Sequence, residues 1–259
     1  MQGIGIDIGS SCAKAVVTDG QGGIAWKRQI PTGWSSKAAA EELLGALRAA
    51  GFDPSSLPCV ATGYGRVVVP YADRTVTEIS CHAKGAQSLF GSGDLDIIDI
   101  GGQDTKVICL RGGAVRDFQM NDKCSAGTGR FLEVMANTLG MDSPALIALA
   151  AEGSGASISS MCTVFAESEV ISLIGKGERK ENIAFAVVTS IAKKIASQAA
   201  RLCTEGIPTV LTGGLCEADQ LRLCLGKELG KELASCPDAR FAGAYGAALL
   251  AEKTTKTTK

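Results

Sequence analysis

The sequence predicts an α/β fold of two related lobes, each opening with its own mixed sheet, around a cleft. Three observations predict it. Apolar runs of strand length alternate with segments of helical periodicity. A strand–turn–strand–turn–strand unit occurs twice: Asp7-Ile-Gly-Ser-Ser-Cys-Ala-Lys14 matches Asp99-Ile-Gly-Gly-Gln-Asp-Thr-Lys106 at an offset of 92 residues, with Lys seven positions after Asp in both. Three apolar strands run into glycine turns, at Gly9, at Gly101-Gly102 and at Gly213-Gly214.

Residues 3–9 (GIGIDIG) are a short apolar run ending in glycine, which reads as a buried strand. Residues 14–18 resume the apolar pattern, and Asp19-Gly20 with Gly22-Gly23 marks a hairpin before a third strand near 24–30. Leu43, Leu44 and Leu47 put a helix at 36–50, stopped by Gly51. A strand follows at 58–62, and His82 falls at a helix start in a structural or lobe-linking role, beside a buried Cys81. The second unit has strands at 95–100, 106–110 and 114–120, with a turn at Arg111-Gly112-Gly113. Helices are predicted at 128–139, 162–175, 182–203, 217–230 and 242–252, and a strand at 208–212. On the longest helix, Ile183, Val187, Ile191, Ile195 and Leu202 share a face, with Lys193-Lys194 turned away from it. The tail TTKTTK is polar and expected to fray. The lobes are expected at 1–93 and 94–259, the last helix being free to pack back on the first lobe.

The 259 residues carry 26 basic and 27 acidic side chains, a net charge of -1, so no basic excess exists to neutralise nucleic-acid phosphates. No apolar run approaches the ~20 residues that span a bilayer, and residues 1–30 show no secretory signal. A cytoplasmic chain without a membrane partner is expected. Ten cysteines and one histidine are then the odd feature. In a reducing compartment disulfides are rare, no C-x-x-C pair occurs, and one histidine excludes multi-histidine metal sites. A bound metal must be held by thiolates.

Backbone amides in the three glycine turns make nests for anions. Asp7 or Asp99, at strand ends, is placed to hold Mg²⁺ through water. Ser10 and Ser11 add hydroxyl donors, and Lys14 is a cation for phosphate oxygens. The first turn, Gly9-Ser10-Ser11-Cys12-Ala13-Lys14, the second, Gly101-Gly102, and the third, Thr212-Gly213-Gly214, form one candidate cofactor-binding set. Neither a P-loop nor a G-x-G-x-x-G after a strand is present. The pattern resembles the actin/hexokinase/Hsp70 ATPase superfamily. That implies a nucleotide cleft in which the first two turns grip the phosphates of ATP and the third lies against the adenosine. Ala242-Gly-Ala-Tyr-Gly-Ala-Ala248 resembles the small-residue helix that closes the same pocket.

Two cysteines stand apart. Cys124, in Asn121-Asp-Lys-Cys-Ser-Ala-Gly-Thr-Gly-Arg-Phe131, and Cys162, in Ser159-Ser-Met-Cys-Thr-Val-Phe-Ala-Glu-Ser-Glu169, each precede a predicted helix. A helix N-terminus favours a thiolate or another anion. Two thiolates are half of the four ligands of a [4Fe–4S] cluster, and a two-fold dimer supplies the rest.

NDKCSAGTGRF, ATGYGR (61–66), EISCHAKGA (78–86), DIGGQDTKVI (99–108) and CTVFAESEVISL (162–173) resemble the ATP-dependent activators of 2-hydroxyacyl-CoA dehydratases over nearly the whole chain, with no departure at the phosphate or cluster positions. The resemblance implies a homodimer with one [4Fe–4S] cluster held by Cys124 and Cys162 of both copies. It implies loading by ferredoxin or flavodoxin, and an ATP-driven change in the angle between the helices after the cysteines. One low-potential electron then passes to a dehydratase. Gln103 or Asp104 orients the attacking water, and Mg²⁺ sits at Asp7 or Asp99. A benzoyl-CoA reductase or another double-cubane reductase is an alternative acceptor. A small-molecule kinase of the same superfamily is the competing reading, and an ATP-dependent regulator a further one. The remaining cysteines, Cys12 among them, are left to packing or the surface.

Overall fold

In the computed structural model, which describes residues 1–160 and 162–254, the apolar runs pair into two five-stranded sheets. The first contains β1 (Ile4–Ile8), β2 (Cys12–Thr18), β3 (Ile24–Pro31), β4 (Cys59–Thr62) and β5 (Arg74–Thr75), in the order β3-β2-β1-β4-β5. The second contains β6 (Leu95–Ile100), β7 (Thr105–Arg111), β8 (Ala114–Asn121), β9 (Thr209–Gly213) and β10 (Leu233–Ala234), in the order β10-β9-β6-β7-β8. Read from β3 and from β8, the two orders agree strand for strand. Both sheets are mixed. In the first, β1 pairs antiparallel with β2 and parallel with β4; in the second, β6 pairs parallel with β9.

The chain divides into two compact units. One holds Met1–Asp94, Leu110–Arg116 and the segment from Asp238 onward; the other holds Leu95–Cys109 and Asp117–Pro237. The chain therefore crosses more often than a single boundary at 93/94 describes. Local bonds explain the first return: Gly112 N donates to Asp94 Oδ1 at 2.6 Å and Gly113 N to Gly93 O at 2.7 Å.

In the first unit, helix α1 (Ser36–Ala49) starts where the Ser35 side chain accepts from Ala38 N, and it buries Leu43 and Leu47 against Ile4, Ile6 and Ile8. The residues of β1 between those isoleucines face α8 (Ala242–Glu252), which also crosses α2 (Glu78–Phe90). The approach leaves no room for side chains. A Cβ on Gly5 would lie 1.9 Å from Ala244 O, and one on Gly246 1.8 Å from Cys81 O. The AGAYGAA composition is thus a packing requirement.

The second unit covers its sheet with α3 (Gly129–Thr138), α4 (Ser143–Leu149), α5 (Thr163–Gly175), α6 (Lys180–Ala199) and α7 (Asp219–Leu229). Ile183, Val187, Ile191 and Ile195 of α6 pack on Ile98, Ile100, Phe131 and Leu211. The helix ends at Ala199 rather than 203, and Leu202 packs on this core from the turn beyond it. No single helix among the described residues is long and apolar enough to cross a membrane. Apart from Thr254, the tail expected to fray lies outside the described residues.

Candidate functional site

The first glycine turn closes as a hairpin, with Gly9 N donating to Cys12 O at 3.1 Å. Thr32 fastens it from outside, its Oγ1 donating to Gly9 O at 2.7 Å and its N to Ser11 O at 3.0 Å. Ser10 is exposed on the turn, as is Ser11. Asp7 stands just before the turn and is 6% exposed, yet its Oδ1 accepts no hydrogen bond from a described residue. Two glycines make this burial possible. A Cβ on Gly63 would lie 2.5 Å from Asp7 Oδ1, and one on Gly243 2.5 Å from Asp7 Oδ2. The ring of His82, on α2, lines the same spot and donates from Nδ1 to Glu78 O at 3.2 Å. Cys81 beside it is fully buried, which pushes its thiol up to about 12.

The second turn closes identically, Gly101 N donating to Asp104 O at 2.9 Å. Its surroundings differ. Lys106, 2% exposed, reaches Asp104 Oδ2 at 2.7 Å and Asp99 Oδ2 at 3.4 Å. Thr212 Oγ1 donates to Asp99 Oδ1 at 2.9 Å, and Gly214 N to Ile100 O at 3.1 Å, so the third turn lies directly on the second. Asp104 is folded back onto its lysine, whereas Gln103 is exposed.

Sequence reasoning missed a fourth turn. Gly63 has φ +90° and abuts Ile8 O and Asp7 Oδ1; Gly213 has φ +87° and abuts Ile100 O and Asp99 Oδ1. Strands β4 and β9 therefore deliver equivalent Thr-Gly pairs, Thr62-Gly63 and Thr212-Gly213, to equivalent aspartates. The signal was available in the matched endings CVATG and TVLTG.

The cysteine segments meet in the second unit. All ten cysteines are free thiols; four are fully buried, four partly buried, and only Cys124 and Cys162 are exposed. Cys162 is the N-cap residue of α5, its side chain making no capping bond. Cys124 stands further out, because the N-cap of α3 is Thr128, so of the two cysteines Cys162 lies closer to a helix N-terminus. Asn121 Nδ2 donates to Cys124 O and Ala126 O, both at 2.9 Å, and Thr128 Oγ1 to Ser125 O at 2.8 Å, holding the Cys124 loop. Glu169 holds the other loop: its carboxylate accepts from the amides and hydroxyls of Ser159 and Ser160, which keeps it below the usual carboxylate range. Ser125 Oγ and Thr163 Oγ1, 2.9 Å apart, join the two loops.

The same helix receives the second glycine turn. Gly129 N donates to Gly101 O at 3.0 Å and Arg130 N to Gly102 O at 2.7 Å, so the first amides of α3 are satisfied by that turn. Beside it lies a hollow of about 130 Å³ lined by Gly127, Ser159, Ser160, Ser190, Lys193 and Lys194 among others. The lysine pair read as turned away from the core thus belongs to the wall of a hollow that also holds Phe131, Ile158 and Ile191.

Comparison with known proteins places this arrangement. Residues 4–251 match the family model described as BadF/BadG/BcrA/BcrD ATPase family. The (R)-2-hydroxyglutaryl-CoA dehydratase activating ATPase of Acidaminococcus fermentans is 40% identical over 255 residues, 96% of each chain, and the activator of lactoyl-CoA dehydratase of Anaerotignum propionicum is 40% identical over 254, 97% of each. The crystal structure of the A. fermentans dehydratase component A superposes with a TM-score of 0.92 at 39% identity over 98% of each chain. The activator of 2-hydroxyisocaproyl-CoA dehydratase from Clostridium difficile, solved with bound ADPNP, superposes at 0.88 with 37% identity over 97% of this chain and 94% of that one. A ROK family glucokinase from Streptomyces griseus, 16% identical with a TM-score of 0.61, shares the actin-like fold alone. By the extent of these matches, the chain belongs to the BadF/BadG/BcrA/BcrD ATPase family.

Proposed function

We propose that this protein is an ATP-driven one-electron donor that activates a 2-hydroxyacyl-CoA dehydratase or a related double-cubane iron–sulfur reductase. The observation that carries the reading is the cysteine pattern. Of ten thiols, the two exposed ones are Cys124 and Cys162, on loops joined by one hydrogen bond. Two accessible thiols on adjacent loops fit half the ligand set of a [4Fe–4S] cluster, and a second copy of the chain supplies the other half in a homodimer. Such a cluster, when bound, stores a single low-potential electron, received from ferredoxin or flavodoxin.

The nucleotide is read onto the glycine turns. In the first unit the amides of Gly9–Ala13 and Lys14 are read as ligands for the phosphates of ATP; in the second, the amides of Gly101-Gly102 are read as phosphate ligands and Thr212-Gly213-Gly214 as an adenosine contact. The buried, unpartnered Oδ1 of Asp7 fits a hydrated Mg²⁺ ion, which would neutralise phosphate charge. Asp99 is already compensated by Lys106 and Thr212 and supports the turn. Gln103, exposed and untied, orients the attacking water; Asp104 is occupied by Lys106. Hydrolysis to ADP and phosphate alters the second turn, and the bonds from Gly129 N and Arg130 N carry that change to α3 and the Cys124 loop.

The test mixes the anaerobically reduced protein with a 2-hydroxyacyl-CoA dehydratase. ATP with Mg²⁺ should switch on dehydration, and ADP should not. Dehydratase activation that proceeds equally with ADP, or none with ATP across several dehydratases, contradicts the reading.

A further inference from the structure

The two turns of the internal repeat close with the same hydrogen bond, yet their lysines end in different places. In each, the lysine lies two residues past the last turn position and therefore on the same face of its strand as that residue. Lys106 meets the carboxylate of Asp104 at 2.7 Å and that of Asp99 at 3.4 Å. Lys14 is the register partner of Asp7, as the repeat demands, but the position matching Asp104 is Cys12. Its thiol carries no carboxylate; Cys12 Sγ takes a weak bond from Gln29 Nε2 at 3.7 Å. The Lys14 ammonium makes no ion pair or hydrogen bond with any described residue.

We propose that the last residue of each turn decides whether its lysine serves the fold or the ligand. Cys12 leaves Lys14 uncommitted and available to a polyphosphate anion. Asp104 makes Lys106 a positioning residue that fixes the second turn. A lysine already held by a carboxylate must break that pair before it neutralises a phosphate, so a charge at position 12 costs nucleotide affinity. The absence of an acid there is the specificity-determining feature of the first turn.

The inference rests on the reading of Lys14 as a phosphate ligand, and the experiment separates the two. ATP binding in the presence of Mg²⁺ is measured by titration calorimetry for the wild-type chain, Cys12→Asp, its neutral isostere Cys12→Asn, Lys14→Ala, and Cys12→Asp with Lys14→Ala. Cys12→Asp should bind at least tenfold more weakly than Cys12→Asn. Lys14→Ala should also lose at least tenfold, and adding Cys12→Asp to it should cost little more, because both act on one ammonium. Equal affinity for Cys12→Asp and Cys12→Asn, or losses that simply add, overturns the selector role while leaving the Lys14 reading intact. Wild-type affinity in Lys14→Ala overturns that reading and the inference together. If Cys12→Asp does not fold, Cys12→Glu against Cys12→Gln makes the same comparison.

Discussion

Ser125 Oγ lies 2.9 Å from Thr163 Oγ1, and each residue directly follows one of the two exposed cysteines. Lower down, Thr138 Oγ1 donates to Glu167 Oε1 at 3.1 Å, so the helices that follow the two cysteines are tied at two levels. A part-buried hydroxyl pair of this kind contributes about 0.5–1.5 kcal/mol. Ser125→Ala and Thr163→Val should each lower the thermal midpoint by a few degrees, and the double variant should be no less stable than the worse single. Additive losses in a double-mutant cycle would show that the two hydroxyls act separately.

The Cys162 loop should loosen in acid. Glu169 accepts from Ser159 and Ser160, and its native pKa is depressed below the ordinary glutamate value of 4.5. A group with a depressed folded pKa stabilises above its unfolded value, and that contribution fades as pH falls through the folded one. Hydrogen exchange at the amides of Ser159 and Ser160 should therefore be protected near neutrality and lose protection as pH falls below 4.5 and through the lower folded value. In Glu169→Gln the protection should be weaker at neutral pH and free of this pH dependence. Full protection in the glutamine variant would contradict the assignment.

Glycine substitutions should split by surroundings. A Cβ on Gly246 would meet the Cys81 carbonyl at 1.8 Å, so Gly246→Ala should destabilise the protein despite the ~1 kcal/mol gained in helix propensity. Gly45, inside α1, has nothing within 4 Å of its would-be Cβ, and Gly45→Ala should stabilise by about 0.5–1 kcal/mol. Chemical denaturation of both variants reads the two signs.

The repeated lysines should also part in stability. Lys106→Met strips the buried partner from Asp99 and Asp104 and should cost about 3–5 kcal/mol. Lys14→Met should change stability by no more than about 0.5 kcal/mol. Comparable losses in urea unfolding would mean that Lys14 is as deeply committed to the fold as Lys106.

The repeat, the order of the main strands and helices, and the two distinctive cysteines were legible in the sequence because each rests on a local pattern: D-I-G with a spaced lysine, period-3.6 stripes, a cysteine just ahead of a predicted helix. Strands of two residues, β5 and β10, and the seven-residue α4 carry too few positions to show a period. The Gly63 turn went unread because its role depends on a strand neighbour, β1, that lies more than fifty residues away. The identical Asp-to-Lys spacing concealed the contrast between Lys14 and Lys106. Only coordinates show that Asp104 captures one lysine and Cys12 does not capture the other.

If two copies of this chain share one iron–sulfur cluster through Cys124 and Cys162, iron counted after anaerobic purification reads it out. The purified protein should be a brown homodimer with about four irons per two chains, and Cys124→Ser or Cys162→Ser should hold little or no iron while ATP binding persists. A colourless protein with ATPase activity, or serine variants that retain their full iron, would contradict it.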